Sequence, residues 1–167
     1  MKEDIVDTLL QQWGFEHPDK DVSALDVVVR LQLLARSLQR RTTAAMARHE
    51  LKLWEYDVPS VLRRQGQPFE MPATDIARAA DLTIGAMTTR IDGLESCGLV
   101  RRGKCRIDGR AVPVRLTAKG KRLVDRAIDT RLHDADAALA GIPLRDRRRL
   151  AYRLRQLMLD VDGQSTR

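Results

Sequence analysis

The chain has 167 residues, enough for one core of ordinary size. Hydrophobic residues at 43% and charged ones at 32% suit a folded, helix-rich protein, and no apolar run approaches the length that spans a bilayer. Lysine and arginine number 30 against 23 acidic residues, a formal net charge of +7 that favours a polyanionic partner.

In chain order, Ile5, Val6, Leu9, Leu10 and Trp13 recur at helical spacing, so a first amphipathic helix is predicted over Glu3 to Trp13. It is expected to end at Gly14 and the following His17-Pro18-Asp19. A long second helix is predicted from Ala24 to Leu51, with an apolar stripe from Leu25 through Val28, Leu31 and Leu38 to Met46. So long a stripe implies more than one neighbour, a second subunit included. Trp54, Val58, Val61 and Leu62 mark a third helix closed by Gly66 and Pro68, in which Pro59 demands a late start or a kink.

Next come a short helix from Thr74 to Ala80, with Thr74 as its cap, and a second from Thr83 to Cys97 that Gly98 stops. Met87, Ile91 and Leu94 form the inner edge of the second, and its other face is small and polar. Two strands, Val100 to Gly103 and Val112 to Leu116, flank a Gly/Asp/Arg loop. Thr117 then opens a helix to Leu139, and after Gly141-Ile142-Pro143 a last helix runs from Leu144 to Val161, leaving a loose tail from Gly163.

The order helix–turn–helix–strand–loop–strand between Thr74 and Leu116 is that of a winged helix-turn-helix. The basic charge collects at the end of this stretch: between Arg101 and Arg122, Arg101, Arg102, Lys104, Arg106, Arg110, Arg115, Lys119, Lys121 and Arg122 stand against Asp108 alone. Small hydroxyl and methyl groups let a helix sit deep in the major groove and touch base edges. Thr83, Ala86, Thr88 and Thr89 are therefore the candidate base-reading residues, with Arg106 and Arg110 on the wing. The fold class expected is mainly α with a small β wing.

Two inward charges stand out. Asp57 lies three after Trp54 and four before Val61, and Arg90 three after Met87 and four before Leu94. Charges turned toward a core need partners. They either brace each other as a fixed pair or take part in binding a flat anion, which a guanidinium fork suits. Trp13 has a plain reading as a packing residue beside Ile5 and Leu9, and Trp54 reads as packing. Arg145 to Arg149 reads as a solvated helix face.

Neither Cys97 and Cys105 nor the scattered His17, His49 and His133 has metal-site spacing, so no metal and no cofactor are expected. The cysteines read as free thiols, with a redox switch as the alternative. Met1-Lys2-Glu3-Asp4 is no signal peptide, which points to the cytoplasm and away from membranes. Neither Ser/His/Asp logic nor a phosphate-cradling glycine loop argues for an enzyme.

The chain resembles the MarR-type transcriptional regulators. The resemblance is carried by Tyr56-Asp57-Val58, Leu82-Thr83, Thr89 to Glu95, Gly98 to Arg102, Asp108-Gly109-Arg110 and Val114 to Gly120. It implies a single domain over 1–167 whose DNA-binding lobe is 54–116, and a homodimer in which helices from 1–51 and 117–162 of both subunits interlock. It also implies a recognition helix in the major groove, Arg110 in the minor groove, and control by a small molecule. Within the family, the chain is similar to the urate-responsive regulators, which carry an extra N-terminal helix. Trp13, Asp57, Arg90 and Arg102 stand at that subgroup's ligand positions, and the departure is Pro59. The expected function is a repressor that binds a pseudo-palindromic operator and leaves it when urate or a related purine binds. The alternatives are an aromatic carboxylate as ligand, or a ligand-blind DNA-packaging protein.

Overall fold

The computed structural model describes residues 2–103 and 112–165. Ten elements follow one another: α1 (Ile5–Glu16), α2 (Ser23–Ala47), α3 (Leu53–Arg64), β1 (Glu70–Pro72), α4 (Ala73–Ala79), α5 (Ile84–Ser96), β2 (Val100–Arg102), β3 (Pro113–Leu116), α6 (Ala118–Ala138) and α7 (Leu144–Ser165). The three strands form one antiparallel sheet in the order β1-β3-β2. The protein is thus mainly helical with a small sheet beside a helix-turn-helix.

Local chemistry sets most boundaries. Asp4 caps α1 in a reciprocal capping box with Asp7. Thr83 and Thr117 cap α5 and α6, accepting from the backbone N–H groups of Ala86 and Gly120. Gly98 ends the α5 segment at φ 69°, a left-handed turn glycine adopts without strain. The predicted and observed α5, β2, β3 and α6 agree to within a residue or two.

Elsewhere the structure corrects the expectation. Gly14 does not stop α1, which runs on to Glu16. The second helix ends at Ala47 rather than Leu51, because the chain turns through a left-handed Glu50 (φ 57°). Leu53 starts α3 six residues ahead of Pro59, so the late start is ruled out, and the helix continues through the buried proline. Thr74 is not a cap: α4 begins one residue earlier, behind Pro72, with no side-chain cap. Residues 70–72, unassigned from sequence, form β1, pairing Glu70 with Arg115 and Met71 with Val114. Gly163, expected in a loose tail, lies within α7.

Two apolar clusters hold the chain. Val58, Val61 and Leu62 of α3 meet Ile76 of α4, Met87, Ile91 and Leu94 of α5, and Val100, Val114 and Leu116 of the sheet. The other joins Ala45 and Met46 of α2 with Leu51, Tyr56 of α3, and Val124 and Ala127 of α6. Helix α3 contributes to both, so it connects the reading head to the long helices. Ion pairs reinforce these seams: Arg63 with Asp125 at 2.6 Å between α3 and α6, and Arg41 with Asp134 at 3.1 Å between α2 and α6. Arg30 of α2 gathers Asp4, Asp7 and Asp26, fastening α1.

Candidate nucleic-acid interface and effector site

The surface of α5 opposite its buried edge is the candidate reading face. Thr83, Ile84, Gly85, Ala86, Thr88 and Thr89 are all exposed there. Thr88 donates its hydroxyl to the Ile84 carbonyl at 3.0 Å and Thr89 to that of Gly85 at 3.3 Å, leaving hydroxyl lone pairs and methyl groups outward. Behind the helix, Trp54 of α3 lies flush on Gly93: a Cβ at that glycine would stand 3.1 Å from the indole edge. That confirms Trp54 as packing. Arg106 and Arg110, the predicted wing contacts, and Cys105 lie outside the described residues, while Cys97 is free and exposed.

The wing is secured to the reading helix at its base. Arg102 of β2 donates to Asp92 and to Glu95 of α5, each at 2.6 Å, and its backbone N–H reaches Glu95 at 2.8 Å. That backbone bond and then the guanidinium hold the Glu95 carboxyl below its ordinary range, while the same carboxylates raise Arg102 further. On the far side of the wing, Thr117 donates to the carbonyls of Gly98 and Leu99 at 2.8 and 3.1 Å, and Lys119 to that of Cys97 at 2.9 Å.

Of the four predicted ligand residues, two, Asp57 and Arg90, lie within electrostatic reach of each other. Asp57 is half-buried on α3, where burial pushes its carboxyl above the usual value while Arg90 and then Arg131 pull it back. Among the described residues no hydrogen bond or ion pair closes on the Asp57 carboxylate, and Arg90 acts on it through charge alone. A fixed brace would need that contact. Arg102 and Trp13 have other partners. Arg102 is engaged by Asp92 and Glu95, which lie two and five residues beyond Arg90 on α5. Trp13, 46% exposed, stacks on His17 at 5.4 Å and lines a hollow with Ile5, Thr8, Leu9, Gln12 and Glu16 of its own helix. It is neither core nor, within one chain, a roof over Asp57. Sequence reasoning missed Arg131, which continues the inner edge Val124, Ala127, Ile128 of α6 at the same helical spacing.

Among the described residues no group of three or more His, Cys, Asp or Glu could hold a metal, and no helix is long and apolar enough to cross a membrane.

A MarR family model matches residues 60–112, which run from α3 to the wing. The HTH-type transcriptional regulator PecS of Dickeya dadantii is 31% identical over 124 residues, covering 74% of this chain and 75% of PecS. The chain belongs to the MarR family. Solved MarR-family folds superpose on it at identities that speak to fold alone. A mutant MarR from E. coli complexed with operator DNA has a TM-score of 0.72 at 16% identity, covering 83% of this chain and 99% of that one. NadR in complex with 4-hydroxyphenylacetate has a TM-score of 0.64 at 21% identity, covering 78% and 91%. This MarR-family protein is a DNA-binding transcriptional regulator, and its homologues are regulators rather than enzymes.

Proposed function

We propose that this regulator is a homodimeric repressor that binds a pseudo-palindromic operator and releases it when a small planar anion, urate or a related purine, joins Asp57 to Arg90. The observation that carries this reading is the half-buried carboxylate of α3 within electrostatic reach of a guanidinium of the recognition helix, with no bond between them. A carboxylate partly withdrawn from water and left open is costly, and such sites are where ligands act. Urate fits the pair because its rim alternates N–H donors, which Asp57 accepts, with oxygens that take hydrogen bonds from guanidinium. A plain carboxylate brings acceptors only and sets its charge against Asp57.

A second ligand class answers the same need. A hydroxylated aromatic acid carries a donor at one end and a carboxylate at the other, and the ligand of NadR, 4-hydroxyphenylacetate, is of that kind. Arg102 reaches such a ligand only by leaving Asp92 and Glu95, which loosens the wing from α5. Trp13 stacks on it only if dimerisation carries α1 of one protomer over the pocket of the other.

Apolar exposure supports the dimer. Phe15 and Ile5 of α1 are 83% and 74% exposed, and Leu34 and Leu38 of α2 with Leu144, Tyr152 and Met158 of α7 are also uncovered. Pairing these helices would set two α5 reading faces about 34–36 Å apart, one helical repeat of DNA. Thr83, Ala86, Thr88 and Thr89 would then read base edges, with Arg110 reaching the neighbouring minor groove and Arg106 a further wing contact to DNA. Such a protein works in the cytoplasm, alongside the DNA.

Thermal shift with urate, xanthine and 4-hydroxyphenylacetate tests the ligand reading, repeated on Arg90→Ala and Trp13→Phe. Stabilisation of the wild type that Arg90→Ala abolishes is the expected result. Equal stabilisation of Arg90→Ala moves the ligand elsewhere, and no stabilisation by any of the three removes the sensing role.

A further inference from the structure

We infer that α5 selects A·T pairs in the major groove by methyl packing and acceptor bonds, with Ile84 as its thymine-methyl contact. The inference rests on the operator reading above and adds to it a class of base pair and a residue.

Ile84 is the first residue of α5 and is 62% exposed, among the described residues of that helix the one large apolar side chain left uncovered. It takes no part in the core, to which α5 contributes Met87, Ile91 and Leu94. Helical spacing puts it in one row with Thr88, four residues on, beside the parallel row of Gly85 and Thr89. Gly85 has nothing within 4 Å of where a Cβ would stand, so the surface next to Ile84 is low and open. The N-terminal residues of a recognition helix are the ones that reach base edges.

The polar groups of these rows are short of outward donors. Thr88 gives its hydroxyl proton to the Ile84 carbonyl at 3.0 Å and Thr89 to that of Gly85 at 3.3 Å. Each is left with lone pairs and a methyl group to present. Thr83 accepts from the Ala86 N–H at 3.3 Å and keeps one proton at the helix start. The first-turn amides lie there too and point along the helix axis, which suits a backbone phosphate rather than a base edge. Asp92, four beyond Thr88, is an acceptor tied to Arg102 at 2.6 Å. Between Ile84 and Ser96 there is no Asn, Gln or Lys, and Arg90 is half-buried beside the core edge.

That inventory decides between base pairs. Guanine shows two acceptors in the major groove and calls for a donor, commonly arginine or lysine. An A·T pair shows an amino donor on adenine and a methyl group on thymine. Threonine lone pairs take the donor, and Ile84 with the threonine methyls packs on the methyl. Cytosine has an amino donor but no methyl, and it brings the guanine acceptors with it. A face of acceptors and methyl groups therefore matches A·T and disfavours G·C.

The test uses the full chain, a duplex selected by this protein from a random pool, and copies of that duplex with deoxyuridine replacing one thymidine at a time. Uracil lacks the methyl group and keeps every hydrogen-bonding edge. Affinities are read by anisotropy. At one or more thymidines of each half-site, wild type is expected to lose about fourfold, the worth of one buried methyl group. Ile84→Ala is expected to lose about as much on the thymidine duplex and to bind the corresponding deoxyuridine duplex no more weakly. Wild-type affinity unchanged by deoxyuridine at every position overturns the methyl contact, whether or not Ile84→Ala folds. A methyl effect that Ile84→Ala keeps in full overturns the role of Ile84. Selected half-sites made mostly of G·C pairs overturn the A·T preference and leave the operator reading standing. A pool that yields no preferred sequence overturns both.

Discussion

Arg102 of β2 and Glu95 of α5 are joined twice, by the guanidinium at 2.6 Å and by the backbone N–H at 2.8 Å. With Asp92 as the third contact, the base of the wing moves with the reading helix. Arg102→Ala is expected to weaken operator binding several-fold while costing no more than about 1 kcal/mol of stability, because these pairs are partly exposed. Anisotropy and thermal melts on the same preparation check both halves. A variant with wild-type DNA affinity would show that the wing keeps its place without this contact.

Asp57 gives a stability effect opposite to that of an ordinary paired carboxylate. Burial raises its folded pKa above the unfolded value, so between the two values the folded state holds more protons and stability falls as pH rises. Asp57→Asn is therefore expected to melt higher than wild type at pH 7. The difference should shrink as pH drops through the carboxylate range, where wild-type Asp57 also becomes neutral. Melting curves from pH 3 to 8 test this, and a lower melting temperature for the asparagine variant at pH 7 would contradict it.

At Gly120, α6 packs tightly against the entry to β2 and the end of β3. A Cβ there would stand 2.1 Å from the Leu99 carbonyl oxygen and 2.9 Å from the Leu116 side chain. Gly120→Ala must push backbone apart, and the expected loss is about 3 kcal/mol, the upper part of the range for overpacking. Gly141→Ala, with nothing within 4 Å, is the control and should change little.

These positions separate what the sequence carries locally from what it does not. Met87, Ile91 and Leu94, the caps Thr83 and Thr117, and the Gly98 stop are signals written within one turn of chain, and each stands where its pattern puts it. Strand β1 has no such signal. Its three residues are extended because β3, more than forty positions on, supplies their hydrogen bonds. The inward phase of Asp57 and Arg90 was legible for the same reason as the core, and the same rule applied to α6 yields Arg131. What no single helix reveals is which neighbour it faces. The carboxylates that occupy Arg102, and the exposure of Trp13 on a helix whose apolar face is uncovered, both depend on that.

The basic loop between β2 and β3 lies outside the described residues, so its test rests on charge alone. Arg110→Ala is expected to weaken duplex binding and to lower the slope of log affinity against log salt by about one. An unchanged slope would remove Arg110 from the DNA contact.

The central claim is that occupancy between Asp57 and Arg90 loosens the grip of α5 on DNA. Titrating urate into the preformed complex of wild-type protein and selected duplex, with Arg90→Gln in parallel, addresses it most directly. The account predicts that the wild type releases the duplex, with an affinity loss of about five- to 150-fold at saturation, the usual span of allosteric coupling. It predicts that Arg90→Gln stays bound at the same urate concentrations. Release that is equally strong in the variant, or a wild-type complex that urate leaves intact, would contradict it.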